Sequence, residues 1–265
     1  MQTVTDVPGV TNDPNWTTLR PFGPCIVKGH MSDKLQQELC GIFEKQGAKP
    51  QLDDEEDNAW ELAGNLEREF VITQDLLGSN VDMFQDCVNG GASQLYMSNL
   101  NVTWESQKDV VPPMHTEIMN EHLDNVHLTV AIHNVWGNIS VPGDFNPVHH
   151  HTGSVSGVGY LKLPDDIERE WLLEDHDPSA GMINFWDGRP ASGAVHMYRQ
   201  KPVVGDIYFF PSWLPHNVHP FRSSGERWSF SFNLSVENLN NGIELTDIEK
   251  EKLRMERRRL LKEFE

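Results

Sequence analysis

The sequence predicts a mainly β fold, a barrel or sandwich, flanked by helices. From about Leu128 the chain falls into short runs rich in β-branched and aromatic residues: 128–138, 146–151, 155–163, 181–186, 203–210 and 226–236. Gly, Pro, Asn and Asp break these runs, and strands at such spacing close into barrels or stack as double sheets. Within the last run the alternation is clean. Arg227, Ser229, Ser231 and Asn233 share one face, and Trp228, Phe230, Phe232 and Leu234 share the other. Helical periodicity, by contrast, is confined to the first half of the chain and to its end.

Taken in order, residues 1–20 are polar and read as a loose arm. Ser32 is placed to cap a helix that carries Leu35, Leu39, Ile42 and Phe43 on one face and ends at Gly47. Asp53–Asp57 is a run of five acids, expected as a solvated loop. A second helix is expected from Gln74 to Val88, stopping before Gly90-Gly91. These pieces form a helical layer over 21–127, set on a β core over 128–236, within a single domain that runs from 21 to 245. Residues 246–265 read as a C-terminal helix. Thr246 and Glu249 make a capping box, acids lead and arginines follow, as the helix dipole favours. Leu253, Leu260, Leu261 and Phe264 give it an apolar stripe, which leaves packing on the body or on a second subunit open, hence a homodimer as one possible state.

Composition removes several functions. The 265 residues carry 21 Lys+Arg against 40 Asp+Glu, a formal charge of −19, which repels a phosphate backbone and argues against tight duplex nucleic-acid binding. No stretch approaches the ~20 apolar residues of a membrane span. No basic region followed by an apolar run marks the N-terminus as a signal peptide, so a cytoplasmic setting is expected. Cys25, Cys40 and Cys87 lack the spacing of a disulfide framework or a thiolate zinc site. There is no Gly-rich phosphate loop, no nucleophile elbow and no internal repeat. The 12 histidines are the unusual feature.

Three motifs carry the chemistry. In Asn146-Pro-Val-His-His-His151, strand alternation directs His149 and His151 to one face and His150 to the other. Two imidazoles at i, i+2 can share a metal, although adjacent surface histidines produce the same text. In Pro211-Ser-Trp-Leu-Pro-His216, following Gly205-Asp-Ile-Tyr-Phe-Phe210, a hydrophobic strand leads to a histidine, with His219 as a competitor three residues on. In Glu226-Arg-Trp-Ser-Phe-Ser-Phe-Asn-Leu234 the polar face meets either water or a pocket. In the second case Arg227 presents a planar fork to a carboxylate, with a serine hydroxyl beside it.

In their order and spacing these segments resemble the 2-oxoglutarate- and Fe(II)-dependent oxygenases, and most closely those carried by tailed phages, notably cyanophages, and by some marine bacteria. The matching text is Phe145 through Tyr160-Leu, Gly205 through Phe221, and Gly225 through Asn233. The likeness is strong over 128–236 and less specific over Pro21–Tyr96. It implies a double-stranded β-helix (jelly roll) and an iron-dependent dioxygenase, a hydroxylase that couples 2-oxoglutarate decarboxylation to C–H oxidation with O2. For a phage protein the setting is the host cytoplasm. It also implies that His149 and His216 are metal ligands, that Arg227 and Ser229 hold the distal carboxylate of 2-oxoglutarate, and that Tyr160 supplies a phenol to the same group.

One departure stands out. Where the usual facial triad has a carboxylate, this chain has His151, and the phage relatives share that His-x-His. A third imidazole adds one positive charge relative to His-His-Asp. Asp187, in Asn184-Phe-Trp-Asp-Gly-Arg189, is a carboxylate that could complete the site, or an ordinary turn residue. Asn134–Asn138 and Trp186–Arg189 could line the pocket or simply pack at strand ends. The competing readings are a cupin-like three-His metalloenzyme that ignores 2-oxoglutarate and a non-catalytic jelly-roll binding module. The substrate is not legible: a protein residue, a small metabolite and a nucleobase all stay open.

Overall fold

A computed structural model describes residues 15–19, 23–47, 66, 68–105, 128–173, 178–188, 195–238, 251–252 and 254–255. In chain order its strands are β1 (Trp16–Leu19), β2 (Ile26–His30), β3 (Arg68–Val71), β4 (Leu128–Ser140), β5 (Asn146–His149), β6 (Val155–Lys162), β7 (Ile183–Trp186), β8 (Met197–Gln200), β9 (Asp206–Pro211), β10 (His216–Val218) and β11 (Arg227–Asn238). Its helices are α1 (Asp33–Gly47), α2 (Gln74–Leu77), α3 (Val81–Glu105) and α4 (Ile167–Leu173).

Two antiparallel sheets form. The larger has the order β1-β2-β9-β6-β11-β4-β3 and the smaller β5-β10-β7-β8. From β4 onward, successive strands alternate between the sheets, except where β7 and β8 pair as neighbours. This eight-strand winding, β4-β11-β6-β9 over β5-β10-β7-β8, is the double-stranded β-helix that the resemblance implies.

Alternation then sorts the side chains into two cores. One face of the large sheet, with Ile207, Phe209, Phe230, Phe232 and Leu234, packs under α1 and α3. The opposite face looks into the barrel, where Val158, Tyr160, Tyr208 and Phe210 meet Ile183 and Phe185 of the small sheet. The polar set predicted from β11 lies on this inner face, so Arg227, Ser229 and Asn233 are buried inside the barrel instead of meeting water.

Helix α1 forms as the sequence predicts. The Ser32 hydroxyl accepts from the Leu35 amide at 3.3 Å, and Leu35, Leu39, Ile42 and Phe43 are the buried face. The second helix differs. It breaks at Gly78, whose φ is +54, turns through Gly78–Asn80, and resumes as α3, which runs straight through Gly90-Gly91. These glycines are close-approach positions. A Cβ on Gly91 would collide with the Phe209 ring, and one on Gly90 would crowd Trp16. Similarly, Trp16–Leu19, expected in the loose arm, is an edge strand, because Trp16 docks edge-on against Phe209 at 5.5 Å.

Two core strands, β8 and β10, escaped the sequence reading. The first is half-buried throughout and shows no alternation; the second is only three residues long and follows a proline. The acidic run 53–57 and most of the C-terminal helix lie outside the described residues, although Glu251, Lys252, Arg254 and Met255 are helical. Among the described residues no helix is long and apolar enough to cross a membrane.

Candidate metal and co-substrate site

Three histidines converge at the mouth of the barrel. His149 on β5 and His216 on β10 are direct cross-strand partners, so the ladder holds their rings side by side at 4.4 Å between centroids. His151 lies in the turn after β5. Its amide donates to Ser212 O at 2.9 Å, and its ring stands 4.9 Å from His149 and 5.1 Å from His216. One nitrogen from each of the three lies within 4.8 Å of the others, the spread a single metal ion can gather.

The rings are oriented by the backbone. The His149 Nδ1 lies 2.7 Å from Pro147 O and the His216 Nδ1 lies 2.9 Å from Leu214 O. A carbonyl only accepts, so each Nδ1 carries the proton and each Nε2 keeps its lone pair for a metal. Burial lowers the His216 pKa to about 3, and the neighbouring His149 adds to the effect. Burial likewise lowers His151 to about 4, with His149 and His150 contributing. These two rings are therefore neutral near pH 7, the protonation state that ligation requires. Phe210 packs edge-on against His216 at 4.7 Å and gives the trio an apolar wall. The donor set is that of an imidazole-favouring ion such as Fe, Zn, Cu or Ni.

Deeper in the barrel, Ser229 pairs across the ladder with Tyr160, and Arg227 extends from the same face two residues on. Arg227 is 3% exposed. Its guanidinium donates to Gly181 O and to Ser140 Oγ, both at 3.1 Å, while its Nε–H has no hydrogen-bond partner. The Tyr160 hydroxyl is also buried without a partner. Burial pushes that phenol up to about 12, against the lowering effect of Arg227, so it remains a neutral donor. A fixed buried cation beside two unused donors and a buried serine hydroxyl is an arrangement built for an anion. The donors fit a carboxylate.

Other candidates separate from the site. His150 is exposed. The His219 Nε2 lies 2.6 Å from the Asn184 amide, and its backbone amide binds Met182 O, so it belongs to the small sheet. Asp187 pairs its amide with His196 O and does not join the three-imidazole group, and the Trp186 indole donates to Asn217. Arg189 lies outside the described residues. Trp136 does reach the site, with its ring 5.8 Å from His151.

Sequence reasoning missed Glu69 on β3, which lines the same cleft as Trp136, Asn146 and the three histidines, a space of about 530 Å³ open to solvent. It faces Asn138 across the ladder. No signal in a four-residue edge strand so far upstream announces it. Ser140, which braces Arg227, was equally silent.

No curated protein matches the chain. Solved structures of similar shape include a Pseudomonas putida prolyl-4-hydroxylase, with 15% identity over 83% of this chain and 92% of that one and a TM-score of 0.41. The viral collagen prolyl hydroxylase of Paramecium bursaria Chlorella virus-1, in a 2-oxoglutarate complex, is 13% identical over 79% and 94%, with a TM-score of 0.41. A Trichoplax adhaerens prolyl hydroxylase bound to a hypoxia-inducible-factor peptide is 13% identical over 86% of each chain, with a TM-score of 0.44. The sequence of residues 134–233, which holds all three histidines, Tyr160 and Arg227, matches the family described as "Putative 2OG-Fe(II) oxygenase". Over those residues, fewer than half of the chain, the sequence is similar to that family.

Proposed function

We propose that the chain is a 2-oxoglutarate-dependent hydroxylase in which His149, His151 and His216 hold Fe(II). In this reading Arg227, Ser229 and Tyr160 hold the distal carboxylate of the co-substrate. The observation that carries it is the convergence of three imidazoles whose ring orientation the backbone sets, above a buried arginine with unused donors around it. Bound iron, with 2-oxoglutarate and O2, supplies the oxidising chemistry that no side chain possesses. The chain's own residues orient and shield. The cross-strand pairing of His149 with His216 fixes two ligands on rigid elements, and the Ser212 carbonyl anchors the third. Arg227 neutralises the far end of the co-substrate and sets its reach, while Gly181 and Ser140 stop the guanidinium from swinging. Phe210 and Phe185 keep bulk water from the inner side of His216.

Separate binding measurements on two variants test the assignment. Arg227→Ala is expected to weaken 2-oxoglutarate binding to the metal-loaded protein by about 1.5–3 kcal/mol, the usual worth of a hydrogen bond to a charged group, and to leave Mn(II) affinity within about twofold. His216→Ala is expected to abolish metal binding first. Titration calorimetry reads both. Equal loss of metal and 2-oxoglutarate in a folded Arg227→Ala protein contradicts the role given to Arg227. The same experiment separates this reading from a three-His metalloenzyme without 2-oxoglutarate, which would bind metal and show no heat from the co-substrate.

A further inference from the structure

Next to Ser229 the barrel wall carries a buried amide with no partner for its oxygen. On the inner face of β4, Trp136, Asn138 and Ser140 follow one another at intervals of two, in register with Ser231, Ser229 and Arg227 of β11. Trp136 stands at the cleft beside His151, and Ser140 braces the Arg227 guanidinium. Asn138 lies between them. It is 4% exposed, and its Oδ1 is buried without a hydrogen-bond partner. A buried amide in that state costs stability unless something binds it. Its position says what would bind. Ser229 has Asn138 as its cross-strand neighbour on one side and Tyr160 on the other. Cross-strand neighbours hold their Cβ atoms about 5 Å apart, so a group seated over Ser229 is within reach of both. Arg227 closes the same place from two residues along β11. Three of these four residues hold an atom that the protein leaves unpaired: Arg227 Nε, the Tyr160 hydroxyl and Asn138 Oδ1. A carboxamide has nearly the same shape either way round. A half-turn about its last bond therefore puts N–H2 where Oδ1 stands, and Oδ1 has no hydrogen bond to break. Asn138 then adds a donor to those of Arg227, Tyr160 and Ser229, and four donors match the roughly four lone-pair sites of a carboxylate. On its other side Asn138 faces Glu69 of β3, so a neutral amide, not an acid, is the group next to the anion.

We infer that Asn138 is the fourth group of the carboxylate cradle: its side-chain amide turns its N–H2 to the distal carboxylate of the co-substrate, across Ser229 from Tyr160. This rests on the co-substrate assignment above. Asn138 is a binding and positioning residue. With Tyr160 on one side and the amide on the other, the far end of the co-substrate is held from both flanking strands. Its 2-oxo end then reaches the three-histidine centre in one place.

The test uses the full chain loaded with Zn(II), which is diamagnetic, and 2-oxoglutarate labelled with 13C at C1 or at C5. Calorimetry first measures the Zn(II) and 2-oxoglutarate affinities of the parent, and NMR then records the bound 13C resonances at saturation. Asn138→Leu keeps the bulk of the side chain and removes the amide. It is expected to weaken 2-oxoglutarate at least about tenfold, the loss of a hydrogen bond to a charged group, and to leave Zn(II) affinity within about twofold. The bound C5 resonance should move in that variant while the C1 resonance stays in place. Asn138→Ala should show both changes and gives the second reading should Asn138→Leu fail to fold. An unchanged 2-oxoglutarate affinity, or a C5 resonance that stays in place in the folded variants, overturns the inference. So does a shift of C1 as large as that of C5, the mark of an amide at the metal end or of a change throughout the site. Failure of the parent to bind Zn(II) or 2-oxoglutarate, or a C5 resonance that ignores Arg227→Ala, overturns the underlying assignment instead.

Discussion

At the scale of single residues, the site depends on which atom of each ring is committed. His149 and His216 each spend Nδ1 on a carbonyl two residues back in the chain, so each presents Nε2 to the same point. His151 brings an imidazole and no negative charge, and Asp187 stays outside the imidazole group. A neutral three-ligand set binds a divalent ion without the Coulomb attraction of a carboxylate, so the set should hold metal more weakly than His-His-Asp. The histidine neighbours give a sharp check. His150→Ala and His219→Ala are expected to leave Co(II) affinity unchanged within about twofold. His151→Ala should lower it by about 1.4 kcal/mol or more, a factor of ten. His151→Asp, which restores a carboxylate, should raise it above the parent. Competition titration against a metal indicator reads all four. Strand alternation made His149 and His151 legible as a pair, and spacing marked His216. What the sequence withheld was Glu69, because a four-residue edge strand has too few positions to show a period, and its neighbour Asn138 is 69 residues away in the chain.

At the scale of elements, the winding of the barrel explains why residues so distant in sequence meet. Strand β10 lies between β5 and β7, and His216 is in register with both His149 and Phe185. The core strands with clean periodicity were readable in advance. Those that were not, β8 and β10, are held by their neighbours in the small sheet and not by any pattern of their own. Glycines misled in the same way: Gly90 and Gly91 looked like a helix stop, yet they let α3 approach the sheet where Trp16 and Phe209 fill the space. The segment between Phe221 and Arg227 has its own brace. Glu170 of α4 accepts from the Arg222 and Ser223 amides and from the Ser223 hydroxyl, at 2.7–3.0 Å. Burial alone would raise the Glu170 carboxyl, but the Ser223 hydroxyl and the two amides outweigh it and hold the group below its ordinary value. A depressed carboxylate contributes stability that is present above its unfolded-state pKa, and this is lost as pH falls through the folded-state value. Glu170→Gln is expected to lower stability by on the order of 1 kcal/mol at neutral pH, the partly exposed setting keeping it small. The difference from the parent should vanish in acid below the Glu range. Urea denaturation at pH 7 and at pH 3 measures both; a constant difference across that range would contradict the brace.

At the scale of the whole molecule, one sheet serves two purposes. Its outer face is buried under α1 and α3 through Phe43, Phe84, Phe209, Phe230 and Phe232, which gives the barrel wall its rigidity. Its inner face can then carry an arginine, serines and asparagines that would be costly in an unsupported core. The composition that first counted against duplex nucleic acid has a second consequence. An acidic body surrounds a buried Arg227, so an anion that enters the barrel has to be attracted locally by that arginine. The proposed function requires that the three histidines and Arg227 bind one metal and one 2-oxo acid together. Anaerobic addition of Fe(II) and then 2-oxoglutarate to the purified chain, followed in the visible spectrum, tests that claim most directly. A metal-to-ligand charge-transfer band should appear only when both are present, saturate at one equivalent of iron, and be lost in His216→Ala. Iron binding without a band at saturating 2-oxoglutarate, or a band unaffected by His216→Ala, would contradict it.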